Sequence, residues 1–311
     1  MPSDEALERF DRLREVGADG GQTTAAFLAK FQSIAASLKP DERIKLVVYL
    51  RTRMSTMELL KAVLADPHAS KISSLKWWYN EKKDVNSIVP LLTNNCPELA
   101  SLEVYFKHHS AFDFVSSMLE CPSNKLKVLL MPPNTKGDSA RFFVALGQSQ
   151  VSAIDIRGSG SPEFAQGLHE YLAKDLLVRL DVRMDGKQVP SKMVVSLANC
   201  TRLAKLEMLQ CKFSQSNAFT LPKSVTKLVL FFCTFVDGFD WSFLIESNVR
   251  DLDFYGVNGV DGNRLGGALA VQSRAKGLDK LRLYHCYFVN GTLAAVGVEL
   301  DESSDGRFTA T

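Results

Sequence analysis

A motif with apolar residues at fixed offsets recurs through most of this chain. In its clearest copy, Leu278, Leu281 and Leu283 stand at offsets 0, 3 and 5, and Cys286 and Phe288 follow at offsets 8 and 10. Nine copies begin at positions 72, 99, 126, 151, 177, 203, 225, 249 and 278, with steps of 22 to 29 residues between them. A single Leu-x-x-Leu-x-Leu is common by chance, but nine copies in one register indicate stacked structural repeats.

Each copy predicts a short strand, and most of the stretches between copies predict a helix. The residues at offsets 3 and 5, such as Leu206 and Met208, have the alternation of a strand with one buried face. Phe112, Val115 and Met118 show the helical spacing of an intervening stretch. No single unit could bury its apolar face alone, so stability has to come from stacking. The predicted fold class is α/β, with a curved parallel sheet inside and helices outside.

The repeat resembles the leucine-rich-repeat family, and in particular its cysteine-containing subclass. Cysteine stands at offset 8 in three copies, as Cys211, Cys233 and Cys286. Another cysteine precedes the first leucine of a copy by three residues at Cys96 and Cys200, as is frequent in that subclass. The resemblance covers residues 70–290 and implies a leucine-rich-repeat solenoid. At offset 8 a small thiol is expected to fit the turn that leaves each strand.

Residues 1–66 lack the repeat and predict four helices. Apolar residues at helical spacing predict helices over 3–15, 23–38 and 40–53. The sequence from Ser55 to Glu58 has the pattern of a capping box and opens a fourth helix. The expected organisation is an all-helical N-terminal region (1–66), a solenoid of nine repeats (67–300) and a polar tail (301–311).

Residues 38–66 resemble an F-box. Leu38 and Pro40 stand for the Leu-Pro start of that family, and two apolar helices are expected to follow, the second containing Leu59 and Leu60. F-boxes often precede leucine-rich repeats. The resemblance implies binding to the linker protein of a cullin ubiquitin ligase, with the repeats acting as the substrate receptor. The alternative is a helical cap that covers the apolar end of the first repeat.

Charge and cysteine usage narrow the possible partners and the compartment. The chain has 37 Lys and Arg against 35 Asp and Glu, a net charge of +2, which argues against binding nucleic acid or a membrane surface by bulk charge. No apolar run reaches the ~18 residues of a membrane span, and the acidic start is not a secretory signal. The six cysteines include no Cys-x-x-Cys pair, so we expect reduced thiols and a cytoplasmic protein, with the nucleus as an alternative.

Side chains at offsets 2, 4 and 6 are expected to leave the core and line the concave face of the sheet. Offset 6 is rich in aromatic residues and arginine, which dominate protein interfaces, and offset 4 is rich in acids. We predict a binding surface for a protein partner here; the alternative is that these aromatics pack against the sheet edge or a loop. The candidate residues are Trp78, Tyr105, Arg157, Arg183, Phe231, Tyr255 and Tyr284 at offset 6, with Asp155, Asp181, Glu207, Asp253 and Arg282 at offset 4.

Signals for catalysis are weak in this sequence. His285 is the one histidine on a predicted strand beside a cysteine, and the Cys286 thiol is expected to point into the turn. Gly158-Ser-Gly160 imitates a phosphate loop, but Glu163 occupies the position of its third glycine. We therefore expect no enzyme, no cofactor and no metal, and predict a non-enzymatic protein-interaction module. The alternative function is the F-box-type substrate receptor.

Overall fold

A computed structural model of the chain describes residues 13–17, 22–49, 55–81, 84–131, 137–157, 162–184, 189, 193, 197–214, 219–236 and 238–290. The chain divides into two compact units, the first ending at Val151 and the second beginning at Ser152. Each unit is described by itself below. The expected tail over 301–311 lies outside the described residues.

The first unit alternates strands and helices throughout. Its strands pair in parallel in the order β1-β2-β3-β4-β5, so that each strand lies beside the strand that follows it in the chain. Serine, threonine and aspartate cap most of its helices at the N-terminus, as at Ser110, whose hydroxyl accepts from the Asp113 N–H. The elements are β1 (Leu13–Gly17), α1 (Thr24–Ser37), β2 (Arg43–Val48), α2 (Thr56–Leu64), β3 (Ile72–Tyr79), α3 (Val89–Asn95), β4 (Ser101–Phe106), α4 (Ala111–Leu119), β5 (Val128–Leu130) and α5 (Ser139–Gly147).

The prediction that the N-terminal region is all helical is wrong. Residues 43–48 form strand β2 instead of the expected helix over 40–53, and residues 13–17 form strand β1. In β2, Leu46 lies opposite Leu75 of β3, and Val48 lies opposite Trp77, which extends the repeat ladder towards the N-terminus. Half of the residues of this run are β-branched, which suits a buried parallel strand.

Two of the predicted N-terminal helices are present, and most of the helix predicted over 3–15 lies outside the described residues. α1 matches the prediction over 23–38, and α2 begins after Ser55, whose hydroxyl accepts a hydrogen bond from the Glu58 N–H at 3.3 Å. A strand and a helix thus occupy the residues in which the F-box resemblance implied two helices. The predicted domain boundary after residue 66 stays a prediction.

The second unit has two parallel sheets. The main sheet has the order β6-β7-β8-β10-β12-β14, and a second sheet of four short strands has the order β15-β13-β11-β9. The elements are β6 (Ala153–Arg157), α6 (Pro162–Leu172), β7 (Arg179–Arg183), β8 (Lys205–Leu209), β9 (Lys212–Phe213), β10 (Lys227–Phe231), β11 (Thr234–Phe235), α7 (Ser242–Glu246), β12 (Asp251–Tyr255), β13 (Asn258–Asp261), α8 (Gly262–Lys276), β14 (Lys280–Tyr284) and β15 (Tyr287–Asn290).

The strand register of the second unit confirms the repeat. The offset-3 leucines of β8, β10, β12 and β14 lie side by side as Cα partners and are all buried: Leu206, Leu228, Leu252 and Leu281. Helices α6, α7 and α8 lie along the chain between successive main-sheet strands. Strand-then-helix units stacked in one parallel register form a leucine-rich-repeat solenoid, and that is the fold of this chain.

The second sheet, which the sequence motif did not predict, follows from a sharp turn at offset 7. Gln210, Phe232, Gly256 and His285 all have φ between 49° and 61°, the left-handed region. The turn separates each main-sheet strand from the short strand that follows it in the second sheet. Cysteine at offset 8 fits the turn as predicted, since the Cys233 thiol donates to the Met208 carbonyl of the preceding repeat at 3.3 Å.

Candidate functional site

One face of the main-sheet strands carries the side chains at offsets 2, 4 and 6. In β8, Lys205, Glu207 and Leu209 are half-buried, whereas Leu206 and Met208 between them are buried. We call the surface formed by these alternate side chains the open face. All candidate partner-binding residues occupy its strand positions, Trp78 and Tyr105 in the first unit and the others in the second.

In the first unit, the open face carries a ladder of three aromatic rings from adjacent strands or their ends. The Tyr49 and Trp78 ring centroids are 4.5 Å apart, and those of Trp78 and Tyr105 are also 4.5 Å apart with planes inclined by only 2°. Parallel strands in register place these rings side by side.

Lys76 and Glu103 hold this ladder in place. The Lys76 Nζ lies 4.5 Å from the Trp78 ring centroid and 2.7 Å from a Glu103 carboxylate oxygen. The Tyr105 hydroxyl donates to the same carboxylate at 2.6 Å. The ladder is therefore a rigid surface whose neighbouring charges are already paired.

In the second unit, three carboxylates stand side by side at offset 4. Asp155, Asp181 and Glu207 are Cα partners on β6, β7 and β8. Arg179 donates to one Asp181 oxygen, and Lys205 pairs with Glu207 at 2.5 Å. The other Asp181 oxygen is buried and has no hydrogen-bond partner among the described residues.

Burial raises the pKa of Asp181 to about 6. The nearby Glu207 carboxylate also raises this pKa, while the hydrogen bond from Arg179 and the charges of Arg179 and Lys205 lower it. The two remaining arginine candidates are less informative. Arg183 is half-buried at the end of β7, and the Arg157 side chain lies outside what the structure describes.

The ends of β10, β12 and β14 carry a cluster of rings around Tyr255. The Tyr255 ring centroid lies 5.3 Å from that of Tyr284, 5.6 Å from Phe231, 5.9 Å from Phe232 and 6.1 Å from His285. These spacings are those of edge-to-face and tilted aromatic contacts. Phe232 is 53% exposed, and the other rings are exposed or half-buried. We call these five residues the Tyr255 patch.

A four-charge network lies beside the Tyr255 patch at offsets 2 and 4. Lys227 Nζ lies 2.9 Å from an Asp251 oxygen and 3.8 Å from an Asp253 oxygen. Arg282 donates two hydrogen bonds to Asp253, one from Nη2 at 2.5 Å, and a third to Asp251 at 3.2 Å. The structure thus brings the predicted residues Asp253 and Arg282 together as partners of each other.

Sequence reasoning missed Phe232 and His285. Both stand at offset 7, which was assigned to neither the core nor the open face. A signal was available, because the other copies in this part of the chain have Gln210 and Gly256 there, and an apolar Phe232 is unusual in a turn.

The Cys286 thiol lies in the turn after β14, as the sequence predicted. The Cys286 thiol donates to the Tyr284 and Phe254 carbonyls, and burial raises its pKa. A thiol with a raised pKa is a poor nucleophile. Within the described ranges, no group of three or more His, Cys, Asp or Glu is arranged to hold a metal ion. No described helix combines the length and apolar character needed to cross a bilayer.

No known protein family and no curated protein matches this chain in sequence. Among solved structures, it is similar to an internalin from Listeria monocytogenes, with a TM-score of 0.45 and 13% identity over 82% of this chain and 76% of that chain. It is also similar to a chain of the Toll–Spätzle complex of Drosophila, with a TM-score of 0.35 and 10% identity over 89% of this chain and 47% of that chain. Similarities at this level of identity concern the fold alone.

Proposed function

We propose that this protein is a non-enzymatic protein-interaction module that binds a protein partner on its open face. The observation that carries this proposal is the Tyr255 patch. Five rings, including the 53% exposed Phe232, cluster at the ends of three adjacent strands. Aromatic side chains in such clusters contribute much of the binding energy of protein interfaces.

The stacked strands support the proposal because they preorganise the open face. The ladder hydrogen bonds continue through the turn after each strand, as in the bond from the Phe232 N–H to the Tyr255 carbonyl at 2.7 Å. Side chains held on such a backbone lose little conformational freedom when a partner binds. The aromatic ladder of Tyr49, Trp78 and Tyr105 offers a second surface of this kind in the first unit.

The proposal includes a reducing compartment, the cytoplasm or the nucleus. None of the six cysteines, all of which lie in the described ranges, forms a disulfide. Burial raises the pKa of the Cys96 thiol to about 12 and that of the Cys200 thiol to about 11, which disfavours their oxidation. Thiols in such positions serve as small apolar side chains.

The second candidate function is an F-box-type substrate receptor that binds a ubiquitin-ligase linker through residues 38–66. The retained helix α2 favours it. Two observations weigh against it, since Arg43–Val48 is a strand and Leu59 and Leu60 of α2 are fully buried within the first unit. Buried leucines are not available to a linker protein.

Quantitative affinity capture from native cell lysate tests the proposal. The baits are the wild type, a Tyr255→Ala/Tyr284→Ala double variant, and Val271→Ala, a control at a 48% exposed residue of α8. We expect a set of proteins that the wild type and the control retain and the double variant loses. Equal capture by all three baits would contradict binding at this part of the open face. Recovery of cullin-ligase components by all three would favour the second candidate.

A further inference from the structure

We infer that the Tyr255 patch receives an uncharged aromatic or aliphatic anchor side chain of the protein partner. This inference rests on the proposed function and names the chemistry of the partner. Three features of the second unit carry it: the arrangement of the rings, the backbone conformation of Phe232, and the closed charge network beside the patch.

The rings form a surface with Tyr255 at its centre. Phe231 and Tyr284 flank it along the strand ends, while Phe232 and His285 stand nearly perpendicular to it, with interplanar angles of 80° and 76°. The five rings therefore present ring carbon in several orientations around Tyr255. An apolar side chain that packs on the patch contacts carbon from more than one ring.

Phe232 occupies a backbone conformation that disfavours a bulky residue. Its φ is 50°, in the left-handed region, which is strained for a residue other than glycine. Its ring carbons would lie 2.5 Å from a Cβ on Gly256, so the absence of that Cβ makes room for the ring. The same conformation recurs at Gln210 and His285, so it belongs to the repeat turn. At Phe232 this turn holds an exposed ring that adds little to the core.

The four charges of the network beside the patch are already paired with one another. Lys227 and Arg282 together balance Asp251 and Asp253, and all four are joined by the contacts given above. A charged anchor would have to break these ion pairs or lose its hydration without compensation. An uncharged anchor has neither cost, and its binding should depend little on salt.

The experiment is peptide display on the full chain, with selection from a random library. Binding of each selected peptide is then measured at about 0.15 M and about 1 M NaCl. The variants are Tyr255→Ala and Phe232→Asn, since asparagine tolerates the left-handed region. Val271→Asn on α8 is the control. A thermal melt of Phe232→Asn at or above the wild-type temperature verifies that loss of binding is not loss of folding.

We expect the peptides to share an aromatic or aliphatic anchor and to bind within about twofold at both salt concentrations. Both patch variants should weaken them by about tenfold or more, and the control should not. Peptides rich in acidic or basic residues, with salt-dependent binding lost in Asp253→Asn or Arg282→Gln, would overturn the inference but leave the proposed function intact. Peptides indifferent to every open-face variant, or no enriched peptide at all, would count against both.

Discussion

At the scale of single residues, Asp181 shows how the repeat register creates an electrostatic cost. The register aligns its carboxylate with those of Asp155 and Glu207, and its neighbours leave it only 6% exposed. Burial then raises its pKa from 3.8 to about 6. Ionisation of the Asp181 carboxyl therefore costs more free energy in the folded protein than in the unfolded chain.

An Asp181→Asn variant tests this directly. Because the folded pKa is raised, the contribution of Asp181 to wild-type stability should decrease as the pH rises from about 4 through about 6, whereas the neutral asparagine has no such dependence. The variant should have a free energy of unfolding similar to that of the wild type near pH 4. Near pH 7 it should be more stable by up to about 3 kcal/mol, which corresponds to a pKa raised from 3.8 to about 6. Denaturant unfolding at both pH values measures the difference. A difference independent of pH would contradict it, and Asp279→Asn at an exposed residue is the control.

Single residues also mark the limits of sequence interpretation. Core positions such as Leu206, Leu228 and Leu252 were predictable because an apolar residue stands at offset 3 in every copy. The pairing of Arg282 with Asp253 and Asp251 was not, because it depends on which side chains adjacent strands place within reach. Phe232 was missed because the motif assigned no role to offset 7, where the left-handed turn holds its ring at the surface.

At the scale of elements, β2 shows why the N-terminal prediction failed. Ile44, Leu46, Val47 and Val48 satisfy both a helical spacing and a strand alternation over so short a run. The structure also has a register shift between Ile44 and Lys45, so the motif is not repeated there at its usual offsets. Only the adjacent ladder of β3 resolves the ambiguity, and that information is not local to the segment.

The opposite faces of one strand give an element-scale prediction. Leu206 and Leu209 both lie in β8, with Leu206 fully buried and Leu209 half-buried on the open face. Leu206→Asp should cost about 4 kcal/mol or more, because an unpaired charge would enter the core. Leu209→Asp should cost far less. Thermal melts of both variants measure this, and similar losses would contradict the assigned faces.

An equivalent test applies to the last main-sheet strand. Leu281 of β14 is 1% exposed, so Leu281→Asp should also unfold the second unit or lower its melting temperature strongly. Circular dichroism during heating is sufficient as the measurement. A normal melt would show that the motif starting at 278 has been placed in the wrong register.

At the scale of the whole molecule, the repeat array was predictable because nine copies reinforce one another. The partner was not, since the open face is defined by side chains that the fold leaves free to vary. The predicted and observed architectures differ mainly at the start of the chain. There, β1 and β2 continue the parallel order of β3, β4 and β5, where helices were predicted.

Deletion of residues 1–66 tests whether the N-terminal region is separable. Pairing of Leu46 with Leu75 and of Val48 with Trp77 joins it to β3. Removing it should expose the β3 edge and the apolar side chains that now pack against residues 1–66. The remainder should therefore melt at a lower temperature and aggregate more readily. A truncated chain that melts cooperatively at the wild-type temperature would instead support an independent N-terminal domain.

The most direct test of partner binding on the open face is site-specific photo-cross-linking in native cells. A photoreactive phenylalanine analogue is placed at Tyr284 in the Tyr255 patch or at Val271 on α8, both in the second unit. We expect a discrete cross-linked protein from position 284, lost when Tyr255→Ala is added, and none from position 271. Cross-linking from position 271 alone, or from 284 without dependence on Tyr255, would contradict the proposal.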